Sequence, residues 1–159
     1  MPIVLLRVDE RLIHGQVVVG WGQTLGIDFI VLVDDEVAAS EWEQDLYRMA
    51  VPPEIEVVFA GTDAAGDRLA EWTARSDRGM LLTGDIATMA RLFAADGGAV
   101  HRINVGGLHH RPVRVQRLPY VFLTDDEAEQ LRDLAAAGAD VTAQDVPTTA
   151  PVPVQSFAG

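Results

Sequence analysis

The chain has 159 residues, no cysteine and a net charge of −12, with 24 acidic side chains against 12 Lys and Arg. That length suits one domain able to bury roughly 70% of its unfolded surface. The acidic balance argues against nucleic acid, whose phosphates call for a basic face, and the lack of cysteine excludes disulfides, thiolate metal sites and a cysteine nucleophile. All twelve basic residues are arginine, so Schiff-base chemistry and a P-loop lysine are excluded as well. No stretch reaches the ~18 apolar residues of a membrane span. No basic region precedes the first apolar run, so a signal peptide is not expected and the expected location is the cytoplasm.

In chain order, Ile3–Val8 reads as a strand. Gln16–Leu25 has a helix-like apolar face despite Gly20 and Gly22, and Phe29–Val33 is a second strand. Ser40–Ala50 reads as a helix: Ser40 is the N-cap, Glu43 completes a capping box, and Trp42, Leu46 and Met49 share one face. Pro52-Pro53 ends it. Ile55–Phe59 is a third strand, followed by a helix over Asp63–Arg75 that Thr62 would cap. Met80–Thr83 is a fourth strand, Asp85–Ala95 a helix stopped by Gly97-Gly98, and Val100–Val105 a fifth strand. A loop-rich segment, Gly106–Pro119, leads to a strand over Tyr120–Thr124. The helix Asp125–Ala137 carries Thr124 as N-cap with Glu127 three residues on, and Gly138 closes it. Asp140–Gln144 is a last short strand. Residues 1–147 form the expected domain, and 148–159 a Pro-containing tail expected to be extended or mobile.

Strand–helix alternation at this spacing predicts an α/β fold: a single domain with a mainly parallel β-sheet and helices on both faces. Ligands then bind beyond the carboxyl ends of the strands. That rule singles out the loop after the first strand, which holds Asp9, Arg11, His14 and Gly15 ahead of a helix opening near Gln16. The positive end of a helix stabilises an anion there, such as a phosphoryl group on an imidazole. Arg11 can neutralise phosphate oxygens as a planar fork, Asp9 can hold the ring in one tautomer, and Gly15 permits close backbone approach. The bland alternative is a polar surface histidine. A second feature lies between Asp96 and Asp125, where no acidic residue occurs but Arg102, Arg111, Arg114, Arg117, His101, His109 and His110 do. Its segment Asn104–Arg111 follows a predicted strand, which puts it on the same edge as His14. A basic patch there would attract a phosphorylated partner; the alternative is a solvated loop. His109-His110 lacks metal-ligand spacing, so no metal is assigned, and there is no dinucleotide, P-loop or nucleophile-elbow motif.

The stretch LRVDERLIHGQVVVGW resembles the N-terminal signature of the IIB subunits of the mannose/fructose/sorbose family of the bacterial phosphotransferase system, usually R-[IV]-D-[DE]-R-L-I-H-G-Q-V. VLVDDEVAASEWEQDLYRMAVP, INVGGL and VFLTDDEAEQLRDLAAAGADVTAQDVP also resemble segments of that family, so the likeness covers residues 3 to 147. The resemblance implies that His14 accepts a phosphoryl group on Nδ1 from a phosphorylated IIA protein. His14 would then pass it to a sugar bound by the membrane subunits IIC and IID: the activity of a protein-Nπ-phosphohistidine–sugar phosphotransferase. It implies that Arg11 stabilises the phosphoryl group and that the chain associates peripherally with a membrane transporter. Together with the reading of the residues, phosphate binding is expected around Arg11, Asp9, Gly15 and Gln16, with Asp35, Asn104 and His109 at the site edge. No cofactor is expected, because phosphoryl transfer asks a protein mainly for positioning and charge. Two other readings stay open: a regulatory phosphoacceptor module, and a non-catalytic α/β domain that binds an anion.

Overall fold

A computed structural model describes residues 3–95 and 102–159. Two predicted features lie partly or wholly outside the described residues: the start of the Val100–Val105 strand with His101, and the Gly97-Gly98 helix stop. The first strand, β1 (Ile3–Val8), leads through a loop into α1, which is π-wound over Gln16–Gly22 and continues as α-helix over Gln23–Leu25. Then follow β2 (Phe29–Val33), α2 (Asp35–Ala38), α3 (Glu41–Met49), β3 (Glu56–Ala60), α4 (Thr62–Thr73), β4 (Gly79–Thr83), α5 (Ile86–Ala95) and β5 (Arg102–Val105). The chain continues with β6 (Val115–Leu118), β7 (Val121–Leu123), α6 (Asp125–Ala136), β8 (Asp140–Ala143), β9 (Val152–Pro153) and α7 (Val154–Phe157).

The predicted mainly parallel sheet is present: seven strands in the order β3-β2-β4-β1-β5-β8-β9, parallel except for β9. Side chains alternate across it with the strand period of two. Leu5, Ile30, Leu32, Met80 and Leu82 pack beneath Val17, Val18 and Trp21 of α1. Leu6, Val8, Val31, Leu81 and Ile103 pack against α4, α5 and α6 through Leu69, Met89 and Leu131. Helices thus cover both faces. β1 lies in the middle, so its carboxyl end opens between those of β4 and β5, where the chain turns to opposite directions across the sheet.

Several local features differ from the sequence reading. The helix from Gln16 starts with π winding, which apolar periodicity does not separate from α winding; short π segments are frequent at functional sites. Thr62 does not cap α4. The Thr62 N–H instead donates to Asp35 Oδ1 at 2.7 Å, so the capping carboxylate comes from 27 residues upstream. Ser40 does cap α3 through the Glu43 N–H, but the expected capping box is only half formed, because the Ser40 N–H donates to the Val37 carbonyl rather than to the Glu43 side chain. Thr124 with Glu127 forms the full capping box of α6. The face of α3 that carries Trp42, Leu46 and Met49 points to solvent rather than into the core. Part of the loop-rich segment forms β6, which pairs antiparallel with β7 in a ribbon separate from the main sheet.

The segment after Pro147 is neither extended throughout nor detached. β9 pairs with β8, and α7 with its C-cap residue buries Val154, Phe157 and Ala158 against the core. Those three apolar side chains, hidden among prolines in the sequence, supply the burial that holds the segment down.

Candidate functional site

The site begins with a charge inside a strand. Arg7 sits on β1 on the same face as Leu5, and its side chain is 0% exposed. An isolated buried guanidinium is costly, so its donors must be matched. Nη1 donates to Asn104 Oδ1 and to the Gln144 carbonyl (2.9 Å); Nη2 donates to the Asp145 carbonyl (3.1 Å) and to Asp9 Oδ2 (3.2 Å). The Trp21 ring packs against the guanidinium at 4.9 Å. Burial pulls the Arg7 pKa down, and Asp9 opposes that pull. A β-carbon on Gly106 would overlap the guanidinium and lie 2.7 Å from Asp9 Oδ2, so this corner admits only glycine without rearrangement.

Asp9 is fully buried and is met by two side chains of its own loop, Arg11 and His14. The Arg11 N–H (3.0 Å) and Nε (3.2 Å) donate to Oδ1, and Arg11 Nη2 donates to Oδ2 at 3.1 Å. His14 Nε2 faces Oδ2 at 3.4 Å. Burial pushes the Asp9 carboxyl up, but His14, Arg11 and Arg7 together outweigh it and hold it well below the usual carboxylate range. Asp9 is therefore an anion throughout the working pH range. Arg11 is about one-third exposed and held fully charged by the same contact.

The loop reaches this geometry through backbone strain at one residue. Leu12 adopts φ 57°, a left-handed conformation that costs a side-chain-bearing residue about 1–3 kcal/mol. The turn is closed by the Leu12 N–H donating to the Asp9 carbonyl at 3.0 Å. Burial of the Leu12 side chain against Gly84 keeps it there. This bend returns the chain so that His14, five residues after Asp9, faces the carboxylate. Gly15 then precedes the π-wound turn, and the Val18 N–H donates to the His14 carbonyl at 3.0 Å. Gln16 opens that turn; its side chain lies outside what the structure describes.

The other predicted site residues separate into near and far. Asn104 is buried and bonded to Arg7, which links it through Asp9 to His14. His109 lies at the rim: its Nε2 and Arg11 Nε both come within 3.4 Å of the position a Gly107 β-carbon would take. Asp35 is committed to α4 by its bond to Thr62, whereas its neighbour Asp34 lines the adjoining cavity of about 270 Å³ with Glu10, Leu12, Gly84, Asp85, Arg111 and Arg114. His110 turns away and packs edge-on to Phe122.

Sequence reasoning placed Arg114 only within the basic patch and did not single out Arg7, Glu10 or Asp145. Glu10 accepts from Arg114 and from the His109 N–H (3.3 Å), and lies 3.5 Å from both His109 Nδ1 and Arg111 Nη2. Arg114 forks onto Glu127 at 3.0 and 2.8 Å, tying the basic segment to the start of α6. The available signal was a lone Arg within the apolar run of β1, and an acid next to Asp9 facing a stretch without any.

The family model for the PTS system sorbose subfamily IIB component matches residues 3–159. The N-acetylgalactosamine-specific phosphotransferase enzyme IIB component 2 of Escherichia coli K12 is 35% identical over 150 residues, covering 93% of this chain and 94% of that protein. The mannose-specific EIIAB component of the same strain is 30% identical over 159 residues, and the match takes in 93% of this chain but 46% of that longer protein. Among solved structures, manxB from Thermoanaerobacter tengcongensis superimposes with a TM-score of 0.86 at 34% identity, over 97% of this chain and 93% of that one. The N-acetylgalactosamine-specific IIB component 1 from Escherichia coli superimposes with a TM-score of 0.88 at 28% identity, over 94% and 97%. A buried arginine, a carboxylate below the normal acid range and a histidine drawn onto it thus lie within a match that spans the described chain, and the protein belongs to the sorbose subfamily of phosphotransferase-system IIB components.

Proposed function

We propose that His14 is the phosphoryl carrier of this IIB component. The observation that carries the reading is the approach of His14 Nε2 to the ionised Asp9. A carboxylate on Nε2 favours the tautomer with the proton on that nitrogen, which leaves the lone pair on Nδ1. Nδ1 attacks the phosphorus of a phosphohistidine on a IIA protein. The donor P–N bond breaks, its electron pair returns to the donor ring, and a P–N bond to Nδ1 forms. In the second step a sugar hydroxyl bound by IIC and IID attacks the same phosphorus. A P–O bond to the sugar forms, the P–N bond to His14 breaks with its electron pair returning to Nδ1, and the hydroxyl proton passes to water. Arg11, anchored on Asp9 yet partly exposed, offsets the charge on the phosphoryl oxygens, and Asn104 supports the site through Arg7. Among the described residues no helix is long and apolar enough to cross a membrane. The reading places the chain in the cytoplasm against a membrane transporter, with the basic rim at His109 and Arg111 facing a phosphorylated partner.

Incubation with phosphoenolpyruvate, the two general phosphotransferase proteins and a mannose-family IIA tests this by intact mass and 31P NMR. One acid-labile phosphate on Nδ1, absent in His14→Ala, is expected. No label from a donor competent on another IIB, or a label that persists in His14→Ala, overturns the proposal. Arg11→Ala is expected to keep the fold and to slow phosphorylation by roughly 10²-fold, the usual effect of removing one electrostatic stabiliser. Circular dichroism checks the first expectation and rapid-quench labelling the second; an unfolded variant would assign Arg11 a structural role instead.

A further inference from the structure

Helix α3 presents Trp42, Leu46 and Met49 at 70%, 49% and 83% exposure. Their i, i+4, i+7 spacing makes one continuous apolar stripe. None of the residues of α3 is buried, so the helix holds to the protein by half-buried side chains such as Tyr47 and Gln44, the latter donating to the Val37 and Ala38 carbonyls. Exposed contiguous apolar patches on a soluble domain mark interaction sites. The charge around this one is strongly biased. From Asp34 to Glu56 there are eight acidic residues and one basic residue, Arg48, which is itself bound to Asp45.

Three occupants can be weighed by that charge. A second copy meeting this face with its own would set carboxylates against carboxylates. An anionic lipid surface repels such a helix, whose polar flanks would need to be basic to lie on it. The cytoplasmic loops of a membrane-embedded protein fit, because they carry an excess of Lys and Arg. We infer that the Trp42–Leu46–Met49 face of α3, with its flanking Glu41 and Glu43, docks into an apolar groove rimmed by basic residues on the membrane subunits IIC/IID. This rests on the reading of the chain as a transporter IIB. The docking stripe is on the solvent face of α3 and not on the loop that carries His14, so the chain stays tethered while His14 faces donor and acceptor in turn.

Co-sedimentation of the unphosphorylated protein with vesicles holding IIC/IID tests the inference without any chemistry at His14. The triple variant Trp42→Ala, Leu46→Ala, Met49→Ala changes only exposed side chains and is expected to keep its fold. It should bind at least tenfold more weakly than wild type, as should Glu41→Lys/Glu43→Lys. Wild-type binding should fall with salt, and IIA-dependent labelling of the triple variant should equal that of wild type. Wild-type protein that fails to sediment, variants that sediment like wild type, or equal sedimentation with protein-free vesicles containing phosphatidylserine overturns it. Slower labelling by IIA with vesicle binding retained would assign the face to the donor and also overturns it. Failure of His14 to label, with sedimentation still dependent on α3, removes the carrier proposal and leaves the docking face standing.

Discussion

Arg7→Met is expected to lose about 3–5 kcal/mol of folding stability, the cost of removing one partner from a buried ion pair. At this chain length that lowers the melting temperature by roughly 10 °C. Methionine fills much of the space and keeps the contact with Trp21, so the loss comes from electrostatics more than from a cavity. Asp9 is left buried without its partner on the sheet, while Asn104 Oδ1 and the Gln144 and Asp145 carbonyls lose a donor. Thermal and urea unfolding followed by circular dichroism measure the effect. Adding Asp9→Asn to Arg7→Met should cost less than the sum of the two single variants, because the second substitution removes a charge the first has stranded. Strict additivity, or a loss below about 1 kcal/mol for Arg7→Met, would mean that the pair does not hold the carboxyl ends of β1 and β5 together.

Asp9→Asn is expected to slow phosphorylation of His14 by roughly 10²–10⁴-fold, the range found when a carboxylate that orients a reactive imidazole becomes an amide. The amide carries no charge and can turn either its oxygen or its NH2 toward Nε2, so the tautomer with the lone pair on Nδ1 is no longer enforced. Stability supplies a second, independent readout. Because the folded-state pKa of Asp9 is depressed, its contribution is fully present above the unfolded carboxylate range near pH 4. That contribution is lost as the pH falls below this range toward the native value. The gap in unfolding free energy between wild type and Asp9→Asn should therefore be constant from about pH 5 to 8 and close on acidification. A gap that stays open at low pH would assign the loss to packing. Unchanged labelling together with the expected acid limb would keep Asp9 as a structural anion and remove it from the chemistry.

Much of this arrangement could be read from the chain. The apolar runs from Ile3, Phe29 and Met80 are strands because their side chains are buried on both faces, as parallel strands require. The Thr124–Glu127 box and Gly138, at φ 109°, bound α6 because capping is decided within a few residues. The loop with Asp9, Arg11 and His14 is legible for the same reason: its chemistry is packed into one turn after a strand.

What only the tertiary structure decided are the pairings made across long separations. Arg7 finds Asn104 and the 144–145 backbone, Asp35 caps a helix 27 residues away, and Arg114 joins Glu10 to Glu127. Periodicity says that Trp42, Leu46 and Met49 share a face and that Val154 and Phe157 are apolar; it does not say whether that face meets a core. The reason is physical. Propensity, capping and side-chain period act over one or two turns of chain, whereas burial of a charge or an apolar face depends on which distant element arrives to cover it.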